Sequence, residues 1–273
     1  MEQILKKLAI KDYTDHTSDD FLPPDGSIFR QESHDAREIL LVISGTMDFH
    51  LAGKRFAATP GKAFFINSWI PHQLGYGKLD CKVEHIWVHL HAKRMFAMSH
   101  SIADNVTLPS PGMREFPSSM LELINLYWQR AEKSPAEQRK KLYNAIIRMI
   151  CDEMSFQSAN TASVKQKDDD VSGWVKNYIS MNYGRNSSLE TLEQLTGFNR
   201  RHLMRKFKNE CGMTIGEYIN CVRRGFAAVA GKRLSQKEIA FQLGFQSPAA
   251  YWLWKNRDRK KFSGNKNPAV QPE

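Results

Sequence analysis

Three side chains in the first third of the sequence are of types that could together bind a metal ion or a polar ligand. They are His34, Glu38 and His72. Two imidazoles and one carboxylate form the ligand set of many non-haem iron sites. The same groups could instead hold a polar ligand by hydrogen bonds. The residue types alone leave both kinds of site open.

A later segment places imidazole and indole side chains at every second position, at His85, Trp87, His89 and His91. On a β-strand this period puts side chains on one face, so we expect some of them to line the interior of a barrel. A cavity lined by His, Trp and Glu suits a polar, hydroxylated ligand, because aromatic faces stack on a ring. The predicted ligand-binding residues are His34, Glu38, Trp69, His72, Trp87 and His89. For each of them, ordinary barrel packing is the alternative.

A basic segment in the C-terminal part of the chain has helical spacing. Positions 201, 204, 205 and 208 follow the i, i+3, i+4, i+7 pattern of one helix face. Arg201, Met204 and Arg205 can therefore enter a DNA major groove together, where arginine pairs with O6 and N7 of guanine. The predicted DNA-binding residues are Arg200, Arg201, His202, Met204, Arg205, Lys206, Lys208, Gln246 and Ser247. A solvated basic face without a partner is the alternative.

The positive charge of the chain is concentrated in its last part. Residues 1–170 contain 21 basic and 22 acidic side chains, whereas residues 171–273 contain 18 and 7, so their net charges are −1 and +11. A compact basic module favours a polyanion as partner, because neutralised phosphates release their counterions. An anionic membrane surface would instead require a Lys-rich amphipathic helix. Double-stranded DNA is therefore the predicted partner.

Length and composition exclude several classes of protein. A chain of 273 residues with 41% hydrophobic and 25% charged side chains suggests two globular domains. No apolar run approaches the roughly 18 residues of a membrane span, and the first twelve residues lack a signal-peptide core. We therefore expect a cytoplasmic protein without membrane attachment. The cysteines at 81, 151, 211 and 221 form no C-x-x-C pair, so we expect reduced packing residues.

The elements that position these residues change type along the chain. Short strands are predicted at 38–44, 47–51, 56–58, 63–66 and 83–91, which is typical of a sandwich or barrel. After Pro117, apolar residues recur at helical spacing in two segments, 120–127 and 142–150. The residues between Ser155 and Asp170 are mostly small and polar, which indicates a domain boundary. The predicted fold class is α+β.

The C-terminal module repeats one helical pattern twice. Ser188 caps a short helix that stops at Gly197, and Asn199 caps a second helix. The pattern returns with Ser235 as the cap and Gly244 at the turn. Two helix-turn-helix units are therefore predicted, joined by a linking helix. Its inward face is predicted to carry Ile215, Tyr218, Ile219, Val222, Phe226 and Val229.

With these motifs the chain resembles the AraC/XylS family of bacterial transcription regulators, from Ser188 to about Tyr251. The N-terminal part is similar to the cupin-like sensor domain of that family, in the spacing of His34, Glu38 and His72. The resemblance implies a sensor domain at 1–112, a helical dimerisation segment at 113–157, a linker at 158–172 and a DNA-binding domain at 173–273. It implies a small polar effector, a sugar or related metabolite, and it implies a homodimer with RNA polymerase as a further partner.

The resemblance also assigns roles within the two sites. It places base contacts on Arg201, Met204 and Arg205, with Lys206 and Lys208 nearer the phosphates. The metal set appears one ligand short, because Glu32 stands at the first histidine position of the cupin H-x-H motif. We therefore predict no metal, no cofactor and no catalysis. A metal-dependent cupin enzyme with a basic accessory domain is the alternative, and a degenerate regulator acting through protein contacts is another.

The second helix-turn-helix unit departs from the family pattern. Leu253 stands where an arginine is usual, and Lys255 where a docking phenylalanine is usual. Trp252 and Trp254 are therefore predicted to fill the core, and Leu253 to contribute stability. The basic residues Arg257, Arg259, Lys260 and Lys261 are predicted to form a tail that holds phosphates. In the first unit, Glu193 replaces a preferred alanine and is expected to loosen the helix crossing.

Overall fold

A computed structural model describes residues 12–16, 32–75, 82–103, 106–108, 113–161 and 171–262. The chain divides into two compact units, Met1–Lys165 and Gln166–Glu273. Within the described ranges, no helix has the length and apolar character needed to cross a membrane.

The N-terminal unit is built on two β-sheets. The larger sheet has the strand order β1-β5-β2-β7-β8-β10, with β9 paired to β8, and the smaller sheet has the order β4-β3-β6. The strands are β1 Asp12–His16, β2 Arg37–Ser44, β3 Met47–Leu51, β4 Lys54–Ala58, β5 Lys62–Ile66, β6 His72–Gly75, β7 Val83–Leu90, β8 Met95–Ala103, β9 Val106–Leu108 and β10 Met113–Phe116. The predicted cupin-like β domain is confirmed.

The two faces of the larger sheet bury different cores, because side chains alternate along each strand. Leu40 of β2 pairs in register with Trp87 of β7 and Phe64 of β5. These three pack with Phe49 and Leu51 of the smaller sheet, between the two sheets. Glu38 lies two residues before Leu40 and therefore shares this inner face. The alternation thus carries a carboxylate into the interior.

The outer face of the larger sheet is covered by two helices, α1 Ser118–Glu132 and α2 Ala136–Thr161. Phe65 of β5 stacks on Tyr143 of α2, with ring centroids 3.9 Å apart, and meets Trp128 of α1 edge to face. Ile146 is fully buried in this core. Ile146 lies within the segment 113–157 that the resemblance assigns to dimerisation, but its side chain packs in the interior of its own chain, so Ile146→Glu would test folding and not association.

Two predicted segment boundaries also change. Met113–Phe116 forms β10 and pairs with β8, so the start of the predicted helical segment 113–157 belongs to the sheet. Helix α2 continues to Thr161, so the first residues of the predicted linker 158–172 are helical. Small polar residues can extend an existing helix, because propagation is easier than nucleation. Residues 162–170 lie outside the described residues.

The C-terminal unit contains six helices within its described residues. They are α3 Val171–Met181, α4 Leu189–Thr196, α5 Arg200–Cys211, α6 Ile215–Ala230, α7 Gln236–Gln242 and α8 Pro248–Phe262. The core around α5 includes Val175, Ile179, Leu192, Leu203 and Phe207. The two predicted helix-turn-helix units are confirmed as α4–α5 and α7–α8.

The linking helix α6 contacts residues of both helix-turn-helix regions. Its Arg223 donates a hydrogen bond to the carbonyl of Gly184, 3.0 Å away, and its guanidinium lies 4.9 Å from the ring of Phe245. Asn220 of α6 accepts a 2.7 Å hydrogen bond from the indole of Trp254 in α8. These contacts tie the second unit to the rest of the domain. Val229, predicted to face inward, is exposed.

Two of the three described cysteines lie where packing residues are expected. Cys151 and Cys211 are partly buried beside apolar cores. Cys221 is exposed, so its interpretation as a packing residue is wrong, because it lies on the outer side of α6. Cys81 lies outside the described residues.

Candidate functional site

A buried carboxylate surrounded by three imidazoles lies in the N-terminal unit. Glu38 is 2% exposed. Its Oε1 atom lies 3.2 Å from Nε2 of His34 and 2.6 Å from Nδ1 of His89. Its Oε2 atom lies 2.8 Å from Nε2 of His72. A single carboxylate thus joins three histidines from separate parts of the chain.

Strand pairing brings these residues together. Glu38 of β2 and His89 of β7 are direct register partners. Glu32 and His72 form an isolated antiparallel bridge with N–H···O distances of 2.7 and 2.9 Å. This bridge places β6 beside the segment that precedes β2, and so brings His72 to Glu38.

Two tryptophans adjoin the cluster. The ring of Trp87 lies 5.8 Å from that of His72 and 6.1 Å from that of His89. Trp69 donates its backbone N–H to the His34 carbonyl at 2.7 Å, and its own carbonyl accepts from the Ser33 hydroxyl. Trp69 has φ of +69°, a strained conformation for a bulky residue and one that is frequent at functional sites.

The structure therefore brings five of the six predicted side chains into one cluster, and Trp69 adjoins it through its backbone. The sequence supplied their types, and β-sheet register supplies their proximity. That they bind an effector stays a prediction.

The Glu38 carboxylate and the His34 imidazole shift each other's pKa values toward the charged forms. Burial alone would raise the pKa of Glu38, but the three neighbouring imidazoles hold this pKa well below its usual range. Burial alone would lower the pKa of His34, yet the Glu38 carboxylate raises it above its usual value. His72 Nδ1 lies 2.9 Å from the Ile70 carbonyl, so with a proton on Nδ1 it donates there, and its Nε2 faces Glu38. The cluster favours an ionised carboxylate.

The same region also contains a group of side chains that could hold a metal ion. The potential ligand atoms of Glu32, His34 and His72 all lie within 4.8 Å of one another. The residue that made the metal set appear one ligand short, Glu32, therefore still contributes a carboxylate to the group. Imidazole and carboxylate together suit zinc, iron or manganese. The absence of a metal stays a prediction.

A second histidine pair lies on the larger sheet and was not predicted as a pair. His85 of β7 and His100 of β8 are register partners and stack with centroids 5.1 Å apart. Burial lowers the pKa of His85 to about 3 and that of His100 to about 4, and each has a second imidazole as a further cause. No strand is predicted at β8, so the sequence alone indicates no partner for His85.

The first helix-turn-helix unit has both predicted caps. The Ser188 hydroxyl accepts from the backbone N–H of Thr191 at 3.1 Å, and Asn199 Oδ1 accepts from that of His202 at 2.9 Å. Gly197 has φ of +72° and forms the turn between the helices. Glu193 accepts from the backbone N–H of Arg200 at 3.1 Å. Glu193 thus helps to cap the next helix, and its effect on the helix crossing stays a prediction.

Helix α5 separates its side chains cleanly between two faces. Leu203 and Phe207 are buried in the core, whereas Arg201, Met204 and Arg205 are exposed. Arg200 and Lys208 are also exposed. The remaining predicted residues have local contacts, since His202 stacks on Phe198 and Lys206 pairs with Glu210 at 2.9 Å. Arg201, Met204 and Arg205 thus share one exposed surface, and contact of the predicted residues with DNA stays a prediction.

The second unit differs from its predicted packing. Trp254 is buried against Phe245 and Tyr251, but Trp252 is 56% exposed and Leu253 is 62% exposed. The interpretation of Trp252 as core and of Leu253 as a stability residue is wrong, because the helix turns both toward solvent.

The remaining predicted residues of the second unit lie at its turn and at the far end of its last helix. Gln246 and Ser247 are exposed at the start of α8, where the Ser247 hydroxyl accepts from Ala250. The predicted basic tail belongs to α8, which ends at Phe262. Of this group Arg257 is exposed.

Comparisons with known proteins match the two parts of the chain that contain these residues. Residues 23–146 match the family model of the AraC-like ligand binding domain, and residues 179–220 match that of bacterial regulatory helix-turn-helix proteins of the AraC family. The Proteus vulgaris protein PqrA, a probable transcription factor, is 32% identical over 88 residues, which cover 30% of this chain and 68% of PqrA.

Two further proteins show weaker similarity. YbfI of Bacillus subtilis, an uncharacterized HTH-type transcriptional regulator, is 29% identical over 140 residues, covering 48% of this chain and 46% of YbfI. A structure of ToxT from Vibrio cholerae covers 83% of this chain and 87% of its own, with 12% identity and a TM-score of 0.28. On the two family matches and the similarity to PqrA, the chain belongs to the AraC family of bacterial helix-turn-helix proteins, as a DNA-binding transcription regulator with a ligand-binding domain.

Proposed function

We propose that the ligand-binding domain senses a small polar effector, a sugar or related metabolite, at the cluster around Glu38. The observation that carries this proposal is a buried carboxylate shared by His34, His72 and His89. Buried polar groups are costly unless they are paired, and hydroxyl groups of a ligand can exchange hydrogen bonds with each of them. Trp87 supplies an aromatic face beside the same atoms.

The proposed mechanism is a population shift. An effector changes DNA binding only if it has different affinities for two states of the protein. In this proposal Arg201, Met204 and Arg205 contact base edges, and the exposed lysines and arginines around them contact phosphates. No catalytic step is required.

A selection experiment tests the proposal. Full-length protein is incubated with random duplex DNA, and bound sequences are enriched and sequenced. The selected duplex is then titrated while sugars, polyols and small organic acids are added in turn. We expect one class to change the DNA affinity of the wild type, and His72→Ala to weaken this response without changing effector-free affinity. Failure to enrich any sequence would contradict the proposed function.

We also propose that the regulator is a homodimer formed through α1. Leu123 and Leu126 are exposed on this helix, one turn apart, and are available to pack against a second copy. Leu126→Lys is expected to give monomers in sedimentation, while Glu137→Lys, at an exposed position of α2, should leave the dimer intact. A monomeric wild type would contradict this proposal. A contact with RNA polymerase stays a prediction.

One observation favours a second candidate function, a metal-dependent cupin enzyme with a basic accessory domain. It is the convergence of Glu32, His34 and His72 within 4.8 Å. Elemental analysis of the purified protein distinguishes the candidates. One equivalent of iron, zinc or manganese, lost on His34→Ala, would support the enzyme. Sequence enrichment without stoichiometric metal would support the regulator alone.

A further inference from the structure

The two helix-turn-helix units can be aligned by their capping contacts. In α5 the cap is Asn199, whose side chain accepts from the residue three positions later. In α8 the cap is Ser247, whose hydroxyl accepts from Ala250, also three positions later. The residue four positions after each cap, Leu203 or Tyr251, is buried. The two second helices therefore have the same register relative to their cores.

This register identifies which residues of α8 correspond to the predicted base-contacting residues of α5. Positions two, five and six after the cap are Arg201, Met204 and Arg205 in the first unit. In the second unit they are Ala249, Trp252 and Leu253, and all six residues are exposed. A face that presents two guanidinium groups in one unit thus presents only apolar side chains and one indole N–H in the other.

Neither the core nor the fold accounts for this apolar face. Trp254 occupies the core, with rings of Phe245 and Tyr251 within 5.8 Å and a hydrogen bond to Asn220. Trp252 and Leu253 point away from these contacts, at 56% and 62% exposure. Large apolar side chains at such exposure often mark a binding surface.

The charge around this face favours DNA as its partner. Lys232, Arg233 and Lys237 are exposed before and within α7, and Arg257 is exposed one turn beyond Leu253 in α8. Exposed basic side chains in the same unit as this apolar face suit a major groove, where phosphates flank the base edges. Within that groove the thymine 5-methyl group is the apolar feature, and apolar side chains are its usual partners.

We propose that the second helix-turn-helix unit recognises thymine 5-methyl groups through Trp252 and Leu253. This inference rests on the proposed function, since it requires that the regulator binds duplex DNA. It assigns hydrogen-bonded recognition of guanine to the first unit and apolar recognition of thymine to the second. The two units then differ in chemistry rather than in whether they contact bases.

The test compares thymine with uracil, which lacks only the 5-methyl group. Full-length protein first selects its site from random duplex DNA. Each thymine of the selected site is then replaced singly by deoxyuridine, and the dissociation constant is measured at fixed salt. At the thymines under the second unit we expect a loss of about three- to fivefold for each methyl removed, the effect of about one buried carbon.

Variants assign the effect to residues. Trp252→Ala and Leu253→Ala should each abolish the difference between thymine and uracil at one or two positions, while Met204→Ala should leave it unchanged there. Leu253→Arg should move the preference at its position toward guanine. Thermal unfolding of every variant checks that the fold is retained.

The possible outcomes are distinct. A selected site without thymines in a second block, or equal affinities for thymine and uracil throughout that block, would overturn the inference and leave the proposed function standing. Unchanged affinity in both Trp252→Ala and Leu253→Ala would also overturn it, and would favour a protein partner for this face. Failure to enrich any DNA would overturn the proposed function itself.

Discussion

The cluster around Glu38 and the exposed face of α5 carry polar chemistry in opposite ways. Glu38 is 2% exposed and is held by three imidazoles from different strands and loops. Arg201 and Arg205 are exposed on one helix, above the buried Leu203 and Phe207. In the first region the polar groups are part of the folded core, whereas in the second they lie outside it. Substitutions should therefore alter stability in one region and binding in the other.

Salt dependence should give the largest effect, and only for the exposed region. A protein that contacts 6 to 10 phosphates loses about 10³- to 10⁵-fold in DNA affinity between about 50 and 200 mM salt. We expect a loss of this order for the full chain, because its C-terminal part carries the excess of basic residues. Fluorescence titration at several salt concentrations measures the slope. A flat response would contradict a DNA-binding role for this charge.

Glu38→Ala should have the largest effect on folding. Removing one member of a buried charged group leaves its partners uncompensated and costs about 3 to 5 kcal/mol. Denaturant unfolding of the full chain, followed for the N-terminal transition, measures this loss. The matched control is Glu84→Ala, since Glu84 is partly exposed and pairs with Lys82 at 2.7 Å. That change should cost less than about 1 kcal/mol. Equal losses of unfolding free energy in Glu38→Ala and Glu84→Ala would contradict the predicted difference between buried and exposed carboxylates.

Because burial lowers the pKa values of the stacked pair His85 and His100, we expect the N-terminal unit to lose stability at acidic pH. Their pKa values are lowered to about 3 and about 4, so below the ordinary histidine pKa the unfolded chain binds protons that the folded chain does not. Stability should then fall as the pH is lowered from about 6.5 toward 4, by on the order of 2 to 3 kcal/mol for each of the two side chains.

Denaturant midpoints measured across this pH range test the assignment. His85→Gln combined with His100→Gln should make the decline shallower, because two of the side chains that take up protons on unfolding are gone, and the remaining decline should reflect His91, whose pKa is lowered by burial to about 4. His34 has the opposite effect on the pH dependence of stability. Its pKa is raised by Glu38, so its protonated form stabilises the fold below the ordinary histidine pKa. An unchanged slope in the double variant would contradict the role of the stacked pair.

Sequence reasoning succeeded best where one element carries the whole feature. The face of α5, its cap Asn199 and the turn at Gly197 follow from spacing within about a dozen residues, and the structure has them as predicted. Helical periodicity is local, so no knowledge of distant contacts was needed.

The geometry of the cluster around Glu38 could not be predicted from the sequence, because it depends on contacts between distant parts of the chain. The residue types of His34, Glu38 and His72 were recognised, but their arrangement depends on the register between β2 and β7 and on the bridge from Glu32 to His72. His100 was missed with its strand. Within the predicted dimerisation segment 113–157, Ile146 instead covers the sheet. An apolar helical stripe that packs on a sheet has the same periodicity as one that forms a dimer, so the sequence does not distinguish the two.

Arg205→Ala should affect binding with little change in stability. Loss of a guanidinium that pairs with a base edge costs about 1 to 3 kcal/mol and relaxes specificity at one position of the site. Unfolding should shift by less than about 0.5 kcal/mol, because the side chain is exposed. Lys208→Ala is the comparison, since loss of a phosphate contact should weaken binding to all sequences alike. Repeated selection with each variant separates the two patterns.

The smallest effect on stability is expected at Leu253, and it is the closest test of the contrast between buried and exposed residues. Leu203 and Leu253 are the same residue type on corresponding second helices, but Leu203 is 1% exposed and Leu253 is 62% exposed. Leu203→Ala should cost about 2 to 5 kcal/mol, because it leaves a cavity. Leu253→Ala should change the free energy of unfolding by less than about 0.5 kcal/mol. A comparable loss at both positions would place Leu253 in a packed contact and would remove it from the surface proposed to meet thymine.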